Sequence, residues 1–261
     1  MSDPKEAAKR LVGYAAVDRY VKAGMCVGLG TGTTAYWAIK RTGERVAAGE
    51  GLVAVVTSAA TEQLCGEFGV PVVPFMSRDI DVAIDGADEV APDWALTKGG
   101  GGALFREKAI AIAARRFIVI VDDSKVVDQL GRFPTPVEVV PFTLAWVQRE
   151  LAAQFPSAKA SERVRDGRPY RTDNGNAILD CAFGAIPDPR ALDAALEAIH
   201  GVVDVGLFYA SDYPHEPKEG EMRHELEEFL EDESLSRDAR RNIVYNNAMT
   251  FYRLKSPVAA R

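Results

Sequence analysis

Residues 25–35 read MCVGLGTGTTA. The apolar start, Met25 to Val27, has the composition of a buried strand, glycines follow at 28, 30 and 32, and the next stretch, TTAYWAIK, has the character of a helix. A strand, a tight loop and a helix N-terminus form a junction whose N–H groups and positive dipole end attract anions. Gly30-x-Gly32-x-x-Ala35 also satisfies the dinucleotide fingerprint as a pattern. A dinucleotide site needs an acid at the tip of the second strand to hold ribose hydroxyls. Here LVAVVT runs into Ser58 and Thr61, and the nearest acid, Glu50, precedes that strand. A Walker loop is excluded, because no Gly-Lys-Ser/Thr follows the glycines. Two readings stay open for Thr31, Gly32, Thr33 and Thr34: a cradle for one phosphate, or a turn that lets a helix pack closely on a strand.

Outward from this loop, strand-like and helix-like segments alternate. Helix KEAAKRLVGYAAVDRYV precedes it; helix TAYWAIKRTGERVAA, strand LVAVVTS, helix TEQLCGEFG and strand VPVVPF follow. Strand DVAIDGAD, helix ALFREKAIAIAARR and strand FIVIVDDS complete the series. The order predicts an α/β fold, a Rossmann-like parallel sheet flanked by helices, over residues 1–131. After Pro134 the order becomes βαββαβ, with turn signals at Asp166-Gly167 and Asn174-Gly175, and predicts a smaller ferredoxin-like α+β domain over 132–205. An atypical helical C-terminal tail is expected over 206–261.

Bulk properties narrow the function. The chain has 261 residues, is 47% hydrophobic and carries a net charge of −7 with no basic block, which argues against a nucleic-acid or membrane surface. An anionic ligand must then be held by local geometry. Cys26, Cys65 and Cys181 are scattered and lack C-x-x-C spacing, so neither a disulfide framework nor a zinc knuckle is expected. The N-terminus has no signal-type apolar core and no run is long enough to span a bilayer, so a cytoplasmic protein is expected.

Two further loops carry chemistry. AIDGADEV puts Asp85 at the carboxyl end of a strand and Asp88 three residues on, a turn signal in isolation. TKGGGGALFREK sets Lys98 before four glycines and opens a helix containing Glu107. Four glycines cost much backbone entropy, which is hard to justify unless something approaches the main chain closely. On that helix Phe105, Ala109 and Ile112 form one apolar stripe, and Ala103, Leu104, Ile110, Ala111 and Ala114 a second that contains Glu107. A carboxylate in such a sector is either a paired structural acid or a general base desolvated toward neutral pKa.

Together GTGTTA, DGADE, KGGGGALFREK, DDSK (122–125), FPTPVEV (133–139) and DNGNAILD (173–180) closely resemble the type A ribose-5-phosphate isomerases. The likeness keeps the motif order over about residues 5–208, roughly four-fifths of the chain. It implies interconversion of ribose 5-phosphate and ribulose 5-phosphate through an enediolate, without metal or organic cofactor, in a homodimer. Its implied catalytic residues are Glu107 as base with Asp85, Asp88 and Lys98. The implied substrate contacts are Thr31, Gly32, Thr33, Thr34, Gly86, Ala87, Gly99, Gly100, Gly101 and Lys125. One carboxylate can carry a proton between C2 and C1 on one face, while Lys98 and glycine N–H groups meet the oxyanion.

The resemblance ends after Phe208. The segment from SDYPHE to LSRDARRNIVYNNAMTFYRL resembles the end of a metal-dependent amidohydrolase barrel, with Asp212 at the corresponding metal-site position. That role is not carried over, since no His-x-His pair lies upstream and about 50 residues cannot form a barrel. Helices over 221–232 and 237–254 are expected to dock on the sheet edge or a partner subunit. The alternatives to an isomerase are a catalytically impaired sugar-phosphate-binding sensor on the same scaffold and, from the tail alone, a metal-dependent hydrolase.

Overall fold

A computed structural model describes residues 4–209; the expected helices at 221–232 and 237–254 lie outside the described residues. Helix α1 (Pro4–Tyr20) leads into β1 (Cys26–Leu29), α2 (Ala35–Ala47), β2 (Val53–Val56), α3 (Ala59–Phe68) and β3 (Val82–Asp85). The four residues of β1 and of β3 are buried throughout, as expected of strands covered on both faces. With β6 (Phe117–Val119) they form a parallel sheet in the order β2-β1-β3-β6. The chain therefore runs from β1 to one side and returns to the other, which puts the switch point between β1 and β3. In open α/β sheets, ligands bind in the crevice beyond the carboxyl ends at such a point.

Between β3 and β6 lie two short strands that the sequence pattern did not reveal, β4 (Glu89–Val90) and β5 (Leu96–Thr97), followed by α4 (Leu104–Ala113). They pair with β13 (Leu207–Phe208) in a three-stranded antiparallel sheet, β13-β5-β4. VPVVPF is not a strand: only Val72 makes a bridge, to Ala54. Pro71 and Pro74 lack the N–H donors that a ladder needs.

The predicted βαββαβ unit is present as β7 (Thr135–Val139), α5 (Leu144–Gln154), β8 (Lys159–Glu162), β11 (Ala177–Ala182), α6 (Pro189–Glu197) and β12 (Val202–Val205). The small strands β9 (Val164–Arg165) and β10 (Arg168–Pro169) form a hairpin between β8 and β11. The main sheet is antiparallel, in the order β12-β7-β11-β8. One apolar cluster, including Val17, Val27, Leu29, Ile39 and Ile84, fills the parallel sheet and its helices. Another, including Val137, Val147, Leu151, Leu179 and Val205, fills the antiparallel unit and reaches Ala91 and Leu130 beside it. No helix among the described residues is long and apolar enough to cross a membrane.

Candidate active site

The glycines of the opening loop answer to protein atoms before any ligand. A Cβ on Gly30 would stand 1.9 Å from Asp85 Oδ1, and one on Gly28 would stand 2.6 Å from Ile110 Cγ2 of α4. Gly32 has a φ of +118°, in the region where glycine carries no side-chain penalty. The loop is thus bare at 28 and 30 so that α4 and the Asp85 carboxylate can close on β1. Asp85, the last residue of β3, accepts hydrogen bonds from Thr31 N at 3.2 Å and Gly86 N at 2.7 Å through Oδ1, and from Lys98 Nζ at 2.9 Å through Oδ2.

Lys98 follows β5 directly, and its N–H donates to Gly206 O, so the three-stranded sheet aims it inward. Its side chain is 2% exposed. The ammonium donates to Asp85 and to Gly86 O at 2.5 Å, lies 5.5 Å from the centre of the Phe208 ring, and approaches Glu107 Oε2 at 3.1 Å. That last approach has ion-pair distance but not hydrogen-bond direction, and Glu107 Oε2 is buried without a well-directed donor. Burial opposes the charge on Lys98, but the Asp85 and Glu107 carboxylates more than offset it and hold the ammonium pKa above its ordinary value.

Glu107 occupies the inner face of α4 with Leu104, Ile110 and Ala111, all buried, whereas Phe105 and Ile112 of the other stripe are exposed. Burial pushes its pKa up to about 7; Lys98 pulls it down, and the charges of Asp85 and Asp88 push it up again. A carboxylate raised toward the working pH suits a group that takes and returns a proton. Asp88 accepts from Gly100 N at 2.7 Å, and its own N–H donates to Thr97 O. Burial raises its pKa, against the Gly100 hydrogen bond and the charges of Lys98, Lys125 and Arg163.

The four glycines make room chiefly for groups of the protein itself. A Cβ at Gly100 would lie 2.5 Å from Asp88 Oδ1 and one at Gly102 would lie 2.2 Å from Tyr170 Oη, while Gly99 and Gly102 both have positive φ. Among the described residues no acceptor takes the N–H of Gly99 or Gly101, leaving these as donors for a ligand. Gly86 and Ala87 form the turn between Asp85 and Asp88. Lys125 stands farther along, in a cleft of about 130 Å³ lined also by Asp88, Glu89, Ser124, Arg132 and Phe133.

In the hydroxyl loop, Thr31 Oγ1 is engaged by Thr57, Ser58 and Thr61 at 2.7–3.1 Å, so it braces the loop rather than projecting from it. Gly32 and Thr33 are exposed, and Thr34 caps α2 without a side-chain cap bond. Lys9 of α1 donates to Thr33 Oγ1 at 2.9 Å and adds a cation that sequence reasoning missed. In sequence it lies among Lys5, Glu6 and Arg10 and looks like any solvated charge; only the packing of α1 on α2 brings it to the loop.

A buried acid beside a lysine, next to an aspartate that closes a sheet switch point and accepts from the Thr31 N–H, is an arrangement suited to proton transfer on a small anionic substrate. Comparison with known proteins makes the class specific. Residues 53–213 match the family model of ribose 5-phosphate isomerase A (phosphoriboisomerase A). The ribose-5-phosphate isomerase A of Sphingopyxis alaskensis is 48% identical over 203 residues, 77% of this chain and 88% of the relative. Among solved structures, the ribose 5-phosphate isomerase from Plasmodium falciparum superposes with a TM-score of 0.76 at 33% identity, covering 78% of this chain and 91% of that one. A D-ribose-5-phosphate isomerase in complex with phospho-erythronic acid gives 0.75 at 40% identity, covering 80% and 92%. The chain belongs to the ribose-5-phosphate isomerase A family. These relatives favour neither the sensor nor the hydrolase alternative, and the likeness of the tail to amidohydrolases is not borne out by them.

Proposed function

We propose that Glu107 carries the proton between C2 and C1 in the interconversion of D-ribose 5-phosphate and D-ribulose 5-phosphate through an enediolate. The observation that supports this most is the burial of Glu107 against Lys98 and Asp85, with a pKa near 7 and one oxygen lacking a directed donor. A deprotonated Glu107 takes the C2 proton of the open-chain aldose and returns it to C1, which moves the carbonyl from C1 to C2 without a change in overall oxidation state. Lys98, which donates to Asp85 and Gly86 O and pairs with Glu107 by charge, sets the charge of the cluster, and the N–H groups of Gly99 and Gly101 serve the developing oxyanion. Asp85 and Asp88, across the Gly86-Ala87 turn, orient sugar hydroxyls and move protons between O1 and O2. The phosphate lies on the Thr31–Thr34 loop with Lys9 beside it, and Gly100 and Lys125 complete the contact surface.

The same reading takes residues 1–131 as the catalytic domain, 132–205 as the small domain and 206–261 as an atypical C-terminal segment, although its first residues are not helical but form β13 against β5. It takes the enzyme as a cytoplasmic homodimer, for which the exposed Phe105–Ile112 stripe and three buried free cysteines are the support. Glu107→Gln tests the central claim. Turnover of ribose 5-phosphate in the presence of chelator should fall by about 10²–10⁴-fold while phospho-erythronic acid still binds. A variant that turns over at the wild-type rate removes Glu107 from the mechanism.

A further inference from the structure

We infer that Arg163, in the small-domain loop after β8, is a positioning residue for isomerisation, acting on Asp88 through the Gly99–Gly100 peptide bond. The contacts form a continuous chain. Arg163 Nη1 donates to Gly99 O at 2.8 Å and to Gly100 O at 3.2 Å. The carbonyl of Gly99 and the N–H of Gly100 belong to one peptide unit, and that N–H donates to Asp88 Oδ2 at 2.7 Å. A cation therefore polarises the peptide from its oxygen end while a carboxylate receives its hydrogen, and hydrogen bonds in series reinforce one another where water is excluded.

The guanidinium is itself held. Nε donates to Asp180 Oδ2 at 2.9 Å and Nη2 to Asp180 Oδ1, a fork on β11 that leaves Nη1 aimed at the glycine loop. The Arg163 side chain is only 10% exposed. Gly99 has a φ of +95° and Gly100 has no room for a Cβ beside Asp88, so this peptide has little conformational preference of its own and needs an external hold. The small domain supplies that hold. Lysine cannot replace it fully, because a single ammonium lacks the fixed fork that grips Asp180 and Gly99 together.

This inference rests on the role proposed for Asp88, and a double-mutant cycle separates the two. Arg163→Met, Asp88→Asn, the double variant and Arg163→Lys are compared by kcat, KM and thermal melting. Arg163→Met should lower kcat about tenfold with KM within about threefold, and Arg163→Lys should recover part of the loss. In the Asp88→Asn background Arg163→Met should cost less than about twofold more, since the route through Asp88 is already gone. An unchanged kcat in Arg163→Met while Asp88→Asn is crippled overturns the relay alone, and so do fully additive losses. An Asp88→Asn enzyme with normal turnover overturns both the Asp88 role and the relay. If Arg163→Met does not fold, Asp180→Asn replaces it, with a smaller loss that must likewise vanish in the Asp88→Asn background.

Discussion

Two buried clusters of carboxylates around a lysine meet at successive residues of α4, and only one has the surroundings of an active site. On one side Glu107 packs with Lys98 and Asp85. On the other, Lys108 Nζ pairs with Asp204 Oδ1 at 2.7 Å and donates to Val205 O, with Asp193 and Glu197 of α6 nearby. Burial lifts the pKa of Glu107 and of Asp193 alike to about 7. A perturbed carboxylate is therefore no site by itself. The first cluster lies at the carboxyl ends of β1 and β3 beside free glycine N–H groups, whereas the second lies between α4, α6 and β12 with, among the described residues, neither a bare loop nor a cradle for an anion.

Exchanging the two lysines in turn should break this comparison most sharply. Lys98→Met leaves Asp85 and Glu107 buried without their cation, and is expected to cost about 3 kcal/mol of stability and at least about 10²-fold in kcat. Lys108→Met removes a more exposed charge but leaves the buried Asp204 unpaired, and should cost about 2 kcal/mol with kcat within about threefold. Denaturant unfolding and steady-state turnover read both. Equal losses of activity would make the second cluster part of the catalytic machinery.

Gly100→Ala probes the site without removing a charge. Its Cβ would meet Asp88 Oδ1 at 2.5 Å, so Asp88 must turn away, and kcat should fall by about tenfold or more while melting shifts by only a few degrees. A fully active variant would show that Asp88 need not stay where it is. The pH profile sharpens the contrast further. Because Glu107 must be ionised to accept a proton and burial raises its pKa to about 7, kcat/KM should climb with pH and level off above that point. A limb near pH 4 would mean that the charge of Lys98 outweighs burial and leaves Glu107 near the ordinary carboxylate value.

The sequence disclosed the parts of this site that obey a period or a local turn rule. Glu107 was visible because it interrupts an apolar sector of a helix, and Asp85 because it ends a buried strand. The glycines were visible too, but what they accommodate was not: Gly30 clears space for Asp85, 55 residues later, and Gly102 for Tyr170. Two-residue strands such as β4 and β5 carry no alternation to detect, so the sheet that aims Lys98 was illegible. Lys9 and Arg163 were hidden for another reason. Each is one basic residue among several, and only tertiary contact separates a cation that orients a loop from one that faces water.

The smallest effect gives the most discriminating test of the second cluster. Asp193 Oδ1 is buried without a hydrogen bond, and desolvation raises its pKa against the pull of Lys108 and a hydrogen bond from Tyr209, with Glu197 and Asp204 adding to the rise. A carboxyl group raised in the folded state holds its proton where the unfolded chain has lost it. Its contribution to stability is complete below the unfolded value near 4 and is lost as pH rises toward about 7. Asp193→Asn mimics the protonated form and escapes this loss. Relative to the wild type it should gain on the order of 2 kcal/mol at pH 8 and less at pH 5, with the difference level above about pH 7. Its kcat should not move, because the group neither faces the glycine loop nor touches the Asp85–Lys98–Glu107 cluster. A variant that gains stability yet loses turnover would tie the two sides of α4 together and dissolve the distinction between a desolvated structural acid and a catalytic one.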